Sequence, residues 1–465
     1  MLRFTRRAFL QGALGLSGLG VASWGLWHWW AREKSDISIA QTQPRRITYR
    51  LAASLPLSGR YQNVGKAYQQ GYQLFIELSA WDPYFFPELV VQDNASDPER
   101  CARQYEEFIA QGAALLLPTA PLELARAAFA VTERHKMILP LSAEAWPDLW
   151  QAAPKFLFAF QSAFITEAVL PYLRAIHAEL ESGRIQSADA PRTAALVWAA
   201  EERSRLLLDR SRLQPQLHAL GMRVVFEEEY PTSPNWTDLG QRLAAANADI
   251  LLMAIREGQL REAAALIEAV RRLGYQPKGV WLSEGANSEL GRALGSAANG
   301  IAGFAPWHPK VRWYAGFHND EFIEEFKRLF RREPNLSHAL AFGTADTLFN
   351  EILGKCRASV LCQVIRVDRA TLQAQVDQEK FKELILERSR ESSFDSILGY
   401  MRWDERGLRV NGVVGPSTGP REFLVVQWQA GAQELVWSSE IVSAEGVPPQ
   451  ELVKTADLLW PKPRW

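Results

Sequence analysis

Short apolar strand patterns alternate with amphipathic helix patterns from residue 47 onward, and this alternation constrains the fold more than any other feature of the chain. Ile47–Leu55 predicts a strand, and Tyr68 and Tyr72 share one face of the predicted helix that follows. Asp97 before Pro98 is typical of the start of another helix. Such alternation predicts a parallel, doubly wound α/β sheet whose strand-to-helix loops open on one edge, where ligands bind in this architecture.

A second unit of the same kind follows the polar stretch Glu181–Arg192. Its predicted elements are strand Thr193–Trp198, helix Leu206–Leu220, strand Val224–Phe226, helix Trp236–Ala246, strand Ile250–Ile255, helix Leu260–Leu273 and strand Gly279–Leu282. Further along, His338–Gly354 predicts a helix, and Phe423–Trp428 with Glu434–Ser438 predicts a hairpin. Two α/β units of similar size in a chain of 465 residues predict two lobes with a cleft between them.

Composition and cysteine content narrow the class of protein. Lys plus Arg is 52 and Asp plus Glu is 53, so we expect neither nucleic acid nor an anionic membrane as the main partner. The three cysteines form no CxxC pair and no cluster with histidine, so we predict no metal site and no cofactor. Cys101 is predicted to be a packed small hydrophobe. Cys356 and Cys362 fit either a disulfide in an oxidising compartment or two separate buried thiols.

The first 31 residues resemble an export signal and are set apart from the fold. Thr5–Leu10 reads Thr-Arg-Arg-Ala-Phe-Leu, which resembles the bacterial twin-arginine motif, and the apolar stretch Ala13–Trp30 follows it. The segment is either cleaved or retained as a membrane anchor, because its length is close to the ~20 apolar residues that span a bilayer. Both alternatives place the body of the protein in the periplasm, after a linker over residues 32–46.

The motifs argue against an enzyme. The seven histidines are scattered, with no HxxH or HExxH spacing, and no Walker GxxxxGK occurs. One GxSxG match, Gly415–Gly419, is followed at once by Pro420 and by no helix pattern, so a turn is predicted rather than a nucleophile elbow. We therefore predict a binding protein, with a periplasmic hydrolase as the enzymatic alternative.

Several blocks, in order and spacing, resemble the branched-chain amino acid (Leu/Ile/Val) binding proteins of bacterial ABC transporters. They cover residues 47 to 465 and comprise Leu55–Gly59 with Gly65 and Gly71, Gln92–Pro98, Pro140–Trp150, Tyr230–Ala246, Ser283–Asn287, Phe317–Phe349, Trp403–Gly407 and Trp460–Trp465. The resemblance implies a type I periplasmic binding fold, in which two doubly wound, Rossmann-like lobes are joined by a three-strand hinge and close around a ligand.

The resemblance also implies a division of the chain and a set of partners. Lobe one is assigned to 47–162 plus 307–412, lobe two to 163–306 plus 413–450, and the C-terminal tail to 451–465. A monomer is expected to bind an amino acid or a related small polar compound and to deliver it to an ABC permease in the inner membrane. A membrane-anchored, ligand-sensing receptor of the same fold is the alternative.

Glu284 is the best single candidate for a ligand contact. In the family, a carboxylate near the end of a lobe-two strand pairs with the ammonium of the ligand, and Glu284 stands at the matching place. A buried, ionised Glu needs a cationic partner, which a ligand ammonium would supply. The alternative is a Glu that caps the next helix.

The other ligand-binding candidates match the family less closely. The family holds the ligand carboxylate through hydroxyls and amides of two lobe-one loops, where this chain offers Thr119 and Ser142. Glu144 in the second of these loops would oppose an anionic group. Ser58 and Tyr61 follow the first strand. The resemblance implies an aromatic wall carried by a Tyr near Gly65, and Tyr61 and Val64 are the candidates for that position. Arg256 follows a lobe-two strand and would bind an acidic group or stand in solvent. These residues leave an amide, a larger amino acid derivative and an aromatic compound open as ligands.

Overall fold

A computed structural model describes residues 47–79, 85–142, 145–152, 154–161, 164–310, 319–354, 365–367, 374–376, 378–391, 396–398, 402–410, 424–437 and 455–465. The chain divides into two compact units, Met1–Thr48 with Asp82–Phe86, and Tyr49–Trp81 with Pro87–Trp465. Nearly all described residues belong to the larger unit, which contains every described helix.

The amino-terminal part alternates strands and helices as predicted. Its elements are β1 Ile47–Leu55, α1 Gln62–Ser79, β2 Phe85–Asp93, α2 Pro98–Ala110, β3 Leu115–Leu116, α3 Leu122–Arg134, β4 Leu139–Leu141, α4 Pro147–Gln151 and β5 Leu157–Ala159. The first sheet has the order β2-β1-β3, with β1 and β3 parallel, and β4 pairs in parallel with β5. The predicted strand Ile47–Leu55 is confirmed with the same bounds.

A seven-stranded sheet follows, in the order β16 (Ala432–Trp437), β15 (Leu424–Gln429), β10 (Ile301–Ala305), β9 (Gly279–Leu282), β8 (Ile250–Ala254), β6 (Thr193–Ala199) and β7 (Arg223–Tyr230). Its elements begin with 3-10 turn Ile165–Glu167 and run through α5 Leu170–Glu181, β6 Thr193–Ala199, α6 Glu202–Leu207, α7 Arg210–Ala219, β7 Arg223–Tyr230, α8 Trp236–Ala246, β8 Ile250–Ala254, α9 Leu260–Arg272, β9 Gly279–Leu282, α10 Leu290–Leu294, 3-10 turn Gly295–Ala298 and β10 Ile301–Ala305. Every residue of β8 is fully buried, as expected for a central strand covered on both faces.

The carboxy-terminal part contacts β5 and completes the seven-stranded sheet. Its elements are α11 Asn319–Phe330, α12 Leu336–Asp346, the π-helical stretch Thr347–Leu353, β11 Ile365–Val367, β12 Ala374–Val376, α13 Gln378–Glu391, β13 Arg402–Trp403, β14 Arg409–Val410, β15 Leu424–Gln429 and β16 Ala432–Trp437. The Trp403 indole donates to the Ala159 carbonyl at the end of β5 (2.6 Å), whereas β15 pairs antiparallel with β10. The chain thus returns to β5 of the amino-terminal part and then to the seven-stranded sheet, while the lobe boundaries themselves stay a prediction.

Helix α12 packs directly on α1. A Cβ built at Gly71 would lie 2.6 Å from the carbonyl oxygen of His338, so the helices can approach this closely only because residue 71 has no side chain. Helix α12, which is far from α1 in sequence, thus packs on the helix that also contacts the loops after β3 and β4. Helix α1 therefore has both faces occupied, which leaves it a rigid support for those loops.

Helix boundaries agree with prediction where local capping decides them. The Asp97 side chain accepts from the backbone N–H of Arg100 (2.9 Å), so the predicted N-cap is confirmed. The predicted single helix Leu206–Leu220 is wrong, because Asp209 caps a separate helix by accepting from the backbone N–H of Ser211 (2.9 Å). The predicted helix His338–Gly354 changes from α to π geometry after Asp346.

Some predictions concern the cysteines and the termini. Cys101 is buried in the core and free, as predicted, and burial raises the pKa of its thiol to about 11. Cys356, Cys362, Glu144, the turn at Gly415–Gly419 and residues 1–46 lie outside the described residues. Within the described ranges, no helix combines the length and the apolar character needed to span a bilayer.

Candidate functional site

The loops after β3 and β4 are held side by side by helix α1. The phenolic hydroxyl of Tyr72 donates to the carbonyl of Pro118 after β3 (2.7 Å), and the hydroxyl of Tyr68 hydrogen-bonds the hydroxyl of Ser142 after β4 (2.7 Å). The two tyrosines therefore do more than fill the apolar face of the helix, because their hydroxyls also hold two loops in place. Both loops follow the carboxyl ends of parallel-paired strands, where α/β folds bind ligands, and the predicted residues Thr119 and Ser142 lie in these two loops.

Ser58, predicted to contact a ligand, is bound to Asp93. Its hydroxyl donates to Asp93 Oδ2 (2.6 Å), and the backbone N–H groups of Leu57 and Ser58 donate to Oδ1 (2.9 and 3.1 Å). Burial acts to raise the pKa of Asp93, but hydrogen bonds from Ser58, Ala95 and Leu57 outweigh it and hold the pKa below its usual range. Asp93 thus fixes the loop after β1, and Ser58 supports that loop.

We expect Asp93→Ala to lower the free energy of unfolding by about 1–3 kcal/mol, because several donors lose a charged acceptor. Since the folded-state pKa lies below the unfolded value of about 3.9, ionised Asp93 stabilises the fold above that pH, and the contribution is lost as the pH falls through the folded pKa. Urea unfolding at pH 7 and pH 3 measures both effects. A difference between variant and wild type that does not shrink at pH 3 would contradict this role.

The hydroxyl of Tyr61 is bound within the protein, so that only its ring is left to contact a ligand. The hydroxyl donates to Glu123 Oε2 (2.9 Å), Arg60 pairs with the same carboxylate, and the Arg60 guanidinium lies 4.3 Å from the centre of the Tyr61 ring. Burial, together with the hydrogen bond and charge of Glu123, raises the pKa of Tyr61 well above its usual range, so the phenol stays neutral. The half-buried ring remains available as the predicted aromatic wall.

Several of the buried polar atoms that have no hydrogen-bond partner among the described residues lie at the two sheet edges. Among them are the hydroxyl of Thr119, the indole N–H of Trp146, the amide oxygen of Gln161 and Nη2 of Arg256. Thr119 is only 1% exposed, and an unmade hydrogen bond at such a site costs about 1–3 kcal/mol. Three donors and one acceptor left open suit a ligand with a carboxylate or carbonyl group beside a hydroxyl or amide hydrogen.

Ser142 and Trp146 have different roles in the loop after β4. Ser142 is fully buried, its hydroxyl meets Tyr68, and its carbonyl accepts from Gln161 Nε2 (2.6 Å), so it braces the loop. The ring of Trp146 is covered by Arg126, whose guanidinium carbon lies 4.5 Å from the ring centre. Trp146 was not predicted as a site residue, and its signal in the sequence is its place in the block Pro140–Trp150 of a Trp-rich chain.

The second edge is formed by the ends of β6, β8 and β9. Ser204 donates to the Ile255 carbonyl (3.2 Å), and the Ile255 N–H donates to Ser283 Oγ (3.1 Å), which ties the three loops together. The predicted residues Arg256 and Glu284 follow two of these positions directly. The edge therefore gathers the predicted lobe-two residues in one place.

Arg256 is neither solvated nor free. It forms an ion pair with Glu262, its backbone N–H donates to Glu262 Oε2 (3.2 Å), and its guanidinium lies 5.4 Å from the centre of the Tyr230 ring. The Tyr230 hydroxyl donates to Glu262 as well (2.8 Å), and burial followed by the charge of Glu262 raises the pKa of Tyr230 well above its usual range. Glu262 thus orients Arg256 while leaving Nη2 open.

Glu284 has a cationic partner within the protein. Nη1 of Arg203 lies 3.5 Å from Glu284 Oε1, and Asn287 Nδ2 donates to Oε2 (3.3 Å). The cation that Glu284 was expected to receive from a ligand is therefore already provided by α6. Arg203, at the start of that short helix, was not identified from the sequence.

The two edges face each other. Arg126 of α3 lies 2.8 Å from Asp148 on its own side and 3.3 Å from Glu202 at the start of α6. The two edges together carry charged, hydroxyl and aromatic side chains, and no cluster of three or more His, Cys, Asp or Glu suited to a metal occurs among the residues described. Such a site can bind and release a small polar molecule without chemical change.

Comparisons with known proteins place the fold of this chain. The family model described as periplasmic binding protein matches residues 48–355. A leucine binding protein from Thermotoga maritima is 18% identical, with a TM-score of 0.61 over 83% of this chain and 97% of that chain. An R. palustris ABC transporter solute-binding protein in complex with benzoate is 15% identical, with a TM-score of 0.63 over 86% and 98%.

A third solved structure is the branched-chain amino acid transporter substrate-binding protein from Streptococcus pneumoniae in complex with isoleucine. It is 14% identical, with a TM-score of 0.60 over 84% of this chain and 99% of that chain. These likenesses confirm the type I periplasmic binding fold, and the family match extends over well more than half of the chain. The chain belongs to the periplasmic binding protein family.

Proposed function

We propose that this protein is the exported solute-binding component of an ABC transporter and that its cleft holds a small polar organic compound by a carboxylate or similar acceptor group. The observation that carries the proposal is the set of buried donors with no partner in the described part of the chain, on Thr119, Trp146 and Arg256. Buried donors are rarely left open in a native protein, so a bound acceptor is the natural complement.

Family membership supports binding rather than catalysis, in keeping with the prediction that the chain is not an enzyme. Among the structural relatives, ligands named are isoleucine in one and benzoate in another, and both molecules carry a carboxylate. In this proposal residues 1–31 provide the export signal, and the route of export stays a prediction. Lobe closure on the ligand would bring Thr119 and Arg256 to opposite sides of one acceptor group.

We expect a thermal-shift screen of amino acids, amides and aromatic acids against the purified full-length chain to identify a ligand. A ligand at a hundredfold excess over its dissociation constant stabilises the native state by about 2.7 kcal/mol. With that ligand, Thr119→Val should weaken binding by about fivefold or more, because one hydrogen bond to the acceptor is lost.

Thr132→Val is the matched control, since Thr132 is also buried but donates to the Phe129 carbonyl within its own helix (3.1 Å). Its affinity for the ligand should equal that of the wild type. Turnover of the ligand would contradict the proposal, and so would equal weakening by both valine variants. Cell fractionation that finds the body in the cytoplasm would contradict its exported location.

A further inference from the structure

The placement of Arg203 and Glu284 is fixed by the backbone around them. The hydrogen bonds Ser204 to Ile255 and Ile255 to Ser283 hold the loops after β6, β8 and β9 together, and Arg203 and Glu284 stand next to the outer members of this chain of bonds. Both side chains are thereby brought over the end of β8. Their contact is a property of the sheet edge rather than of two mobile surface chains.

The pair is also well shielded from water. The Arg203 side chain is 10% exposed and that of Glu284 is 12% exposed, whereas Arg205 on the same helix is 55% exposed and pairs with Glu229. Charges in such a position interact strongly because water screens them little. The charge of Glu284 is thus compensated in the absence of any ligand, with Asn287 on its second oxygen.

Binding of a ligand ammonium beside Glu284 would be unfavourable, because Arg203 already occupies the space next to the carboxylate. It would have to displace a guanidinium, which stays protonated at any physiological pH, or lie beside it as a like charge. The ammonium would lose its hydration without gaining an unpaired carboxylate in return. A ligand with no ammonium meets none of these costs.

We propose that Arg203 takes the place of a ligand ammonium beside Glu284 and thereby makes the site selective for carboxylates that lack an α-ammonium group. The inference rests on the proposed function, because it concerns the same cleft. It assigns Arg203 as a specificity-determining residue. The α-amino acids are excluded by a positive charge that the protein itself supplies.

The test uses matched pairs of compounds that differ only in the ammonium group, namely leucine with 4-methylpentanoate and phenylalanine with 3-phenylpropanoate. Isothermal titration calorimetry of the full-length chain gives the affinity ratio within each pair, so that differences in side-chain fit cancel. The wild type should favour the compound without the ammonium. Arg203→Met, which keeps an unbranched, mainly apolar side chain and removes the guanidinium with its charge, should shift that ratio toward the amino acid by about 30-fold or more.

Two further variants separate selectivity from damage to the fold. Arg205→Met makes the same substitution on the same helix, but at a residue paired with Glu229, and should leave the ratio unchanged. The double variant Arg203→Met with Glu284→Gln removes both charges, so it relieves the buried carboxylate and should regain the wild-type preference.

The outcomes are distinguishable. A wild type that favours the amino acids, or a ratio that Arg203→Met does not move, overturns the role of Arg203 while leaving the proposed function intact. If no member of either pair binds any variant, and the wider screen also finds no ligand, the proposed function fails. A shift in Arg203→Met that persists in the double variant would also overturn the inference, because it would not depend on Glu284.

Discussion

Glu262→Ala will lower the free energy of unfolding by about 3 kcal/mol, the lower end of the 3–5 kcal/mol expected when one partner of a buried ion pair is removed. The side chains of Arg256 and Glu262 are only 16% and 14% exposed, so the variant leaves a nearly buried guanidinium with no counter-charge. The Tyr230 hydroxyl and the backbone N–H of Arg256 also lose their acceptor. Urea denaturation of the full-length chain measures the change.

The matched control lies on the same helix. Glu268 pairs with Arg272 at 2.9 Å, but the two side chains are 49% and 75% exposed, so Glu268→Ala should cost no more than about 0.5 kcal/mol. Glu262→Gln keeps an acceptor and removes the charge, so its effect should be intermediate. Equal losses for Glu262→Ala and Glu268→Ala would show that burial of the pair does not determine its contribution.

Glu262→Ala is also expected to change the affinity of the site for its ligand. Glu262 orients Arg256 toward the sheet edge, where Nη2 remains open for an acceptor. We therefore expect any ligand identified in the thermal-shift screen to bind Glu262→Ala more weakly, while Glu268→Ala retains wild-type affinity. A difference of this kind between the two variants would show that the Glu262 carboxylate contributes both to the stability of the fold and to ligand binding.

Local patterns in the sequence were sufficient to predict most of the strands and helices. Helix Trp236–Ala246 was predicted with the bounds it has. In the structure, Asn235 caps its start by accepting from the N–H of Asp238 (3.2 Å), and Asn247 adopts a left-handed conformation at its end. Strand Gly279–Leu282 was likewise predicted with its bounds, since its apolar run lies between turn residues. These signals act over a few neighbouring residues and can be read without the fold.

Side-chain pairing in the site could not be predicted in this way. Arg203 and Glu284 are 81 positions apart and meet only because β6 and β9 flank β8 in the sheet. Glu284 was identified through the family resemblance, but the resemblance contains nothing about Arg203. Glu262 was not singled out from the sequence. It lies in the first turn of a helix, where acids are common, and the structure makes it the partner of Arg256 and Tyr230.

A hydroxyl residue in a loop can either contact a ligand or hold the loop in place, and the sequence does not distinguish the two roles. Ser58 has the hydroxyl expected of a ligand contact, yet it is bound to Asp93, and Ser142 is bound to Tyr68. Thr119 alone among these three hydroxyl residues has no partner within the described residues. The sequence shows which hydroxyls lie in the loops, and only the packing around them decides which are left for a ligand.

Gly65→Ala will lower the free energy of unfolding by about 1–3 kcal/mol, although helix propensity alone predicts a gain of about 1 kcal/mol for alanine inside a helix. A Cβ at this position of α1 would lie 2.1 Å from the carbonyl oxygen of Pro56 and 2.5 Å from its carbonyl carbon. Neither atom belongs to a flexible side chain, so the helix or the loop must move. The opposite signs of the two expectations make the experiment decisive.

Asn63→Ala is the matched control, because Asn63 is exposed one residue into the same helix and should gain up to about 0.6 kcal/mol from propensity. Gly65→Ala should also weaken ligand binding, since the displaced loop is the one that Asp93 holds through Leu57 and Ser58. Stabilisation by Gly65→Ala would mean that Pro56 gives way at little cost. Its loop would then not be a rigid wall of the site, and closure on a ligand would have to order it at the expense of affinity.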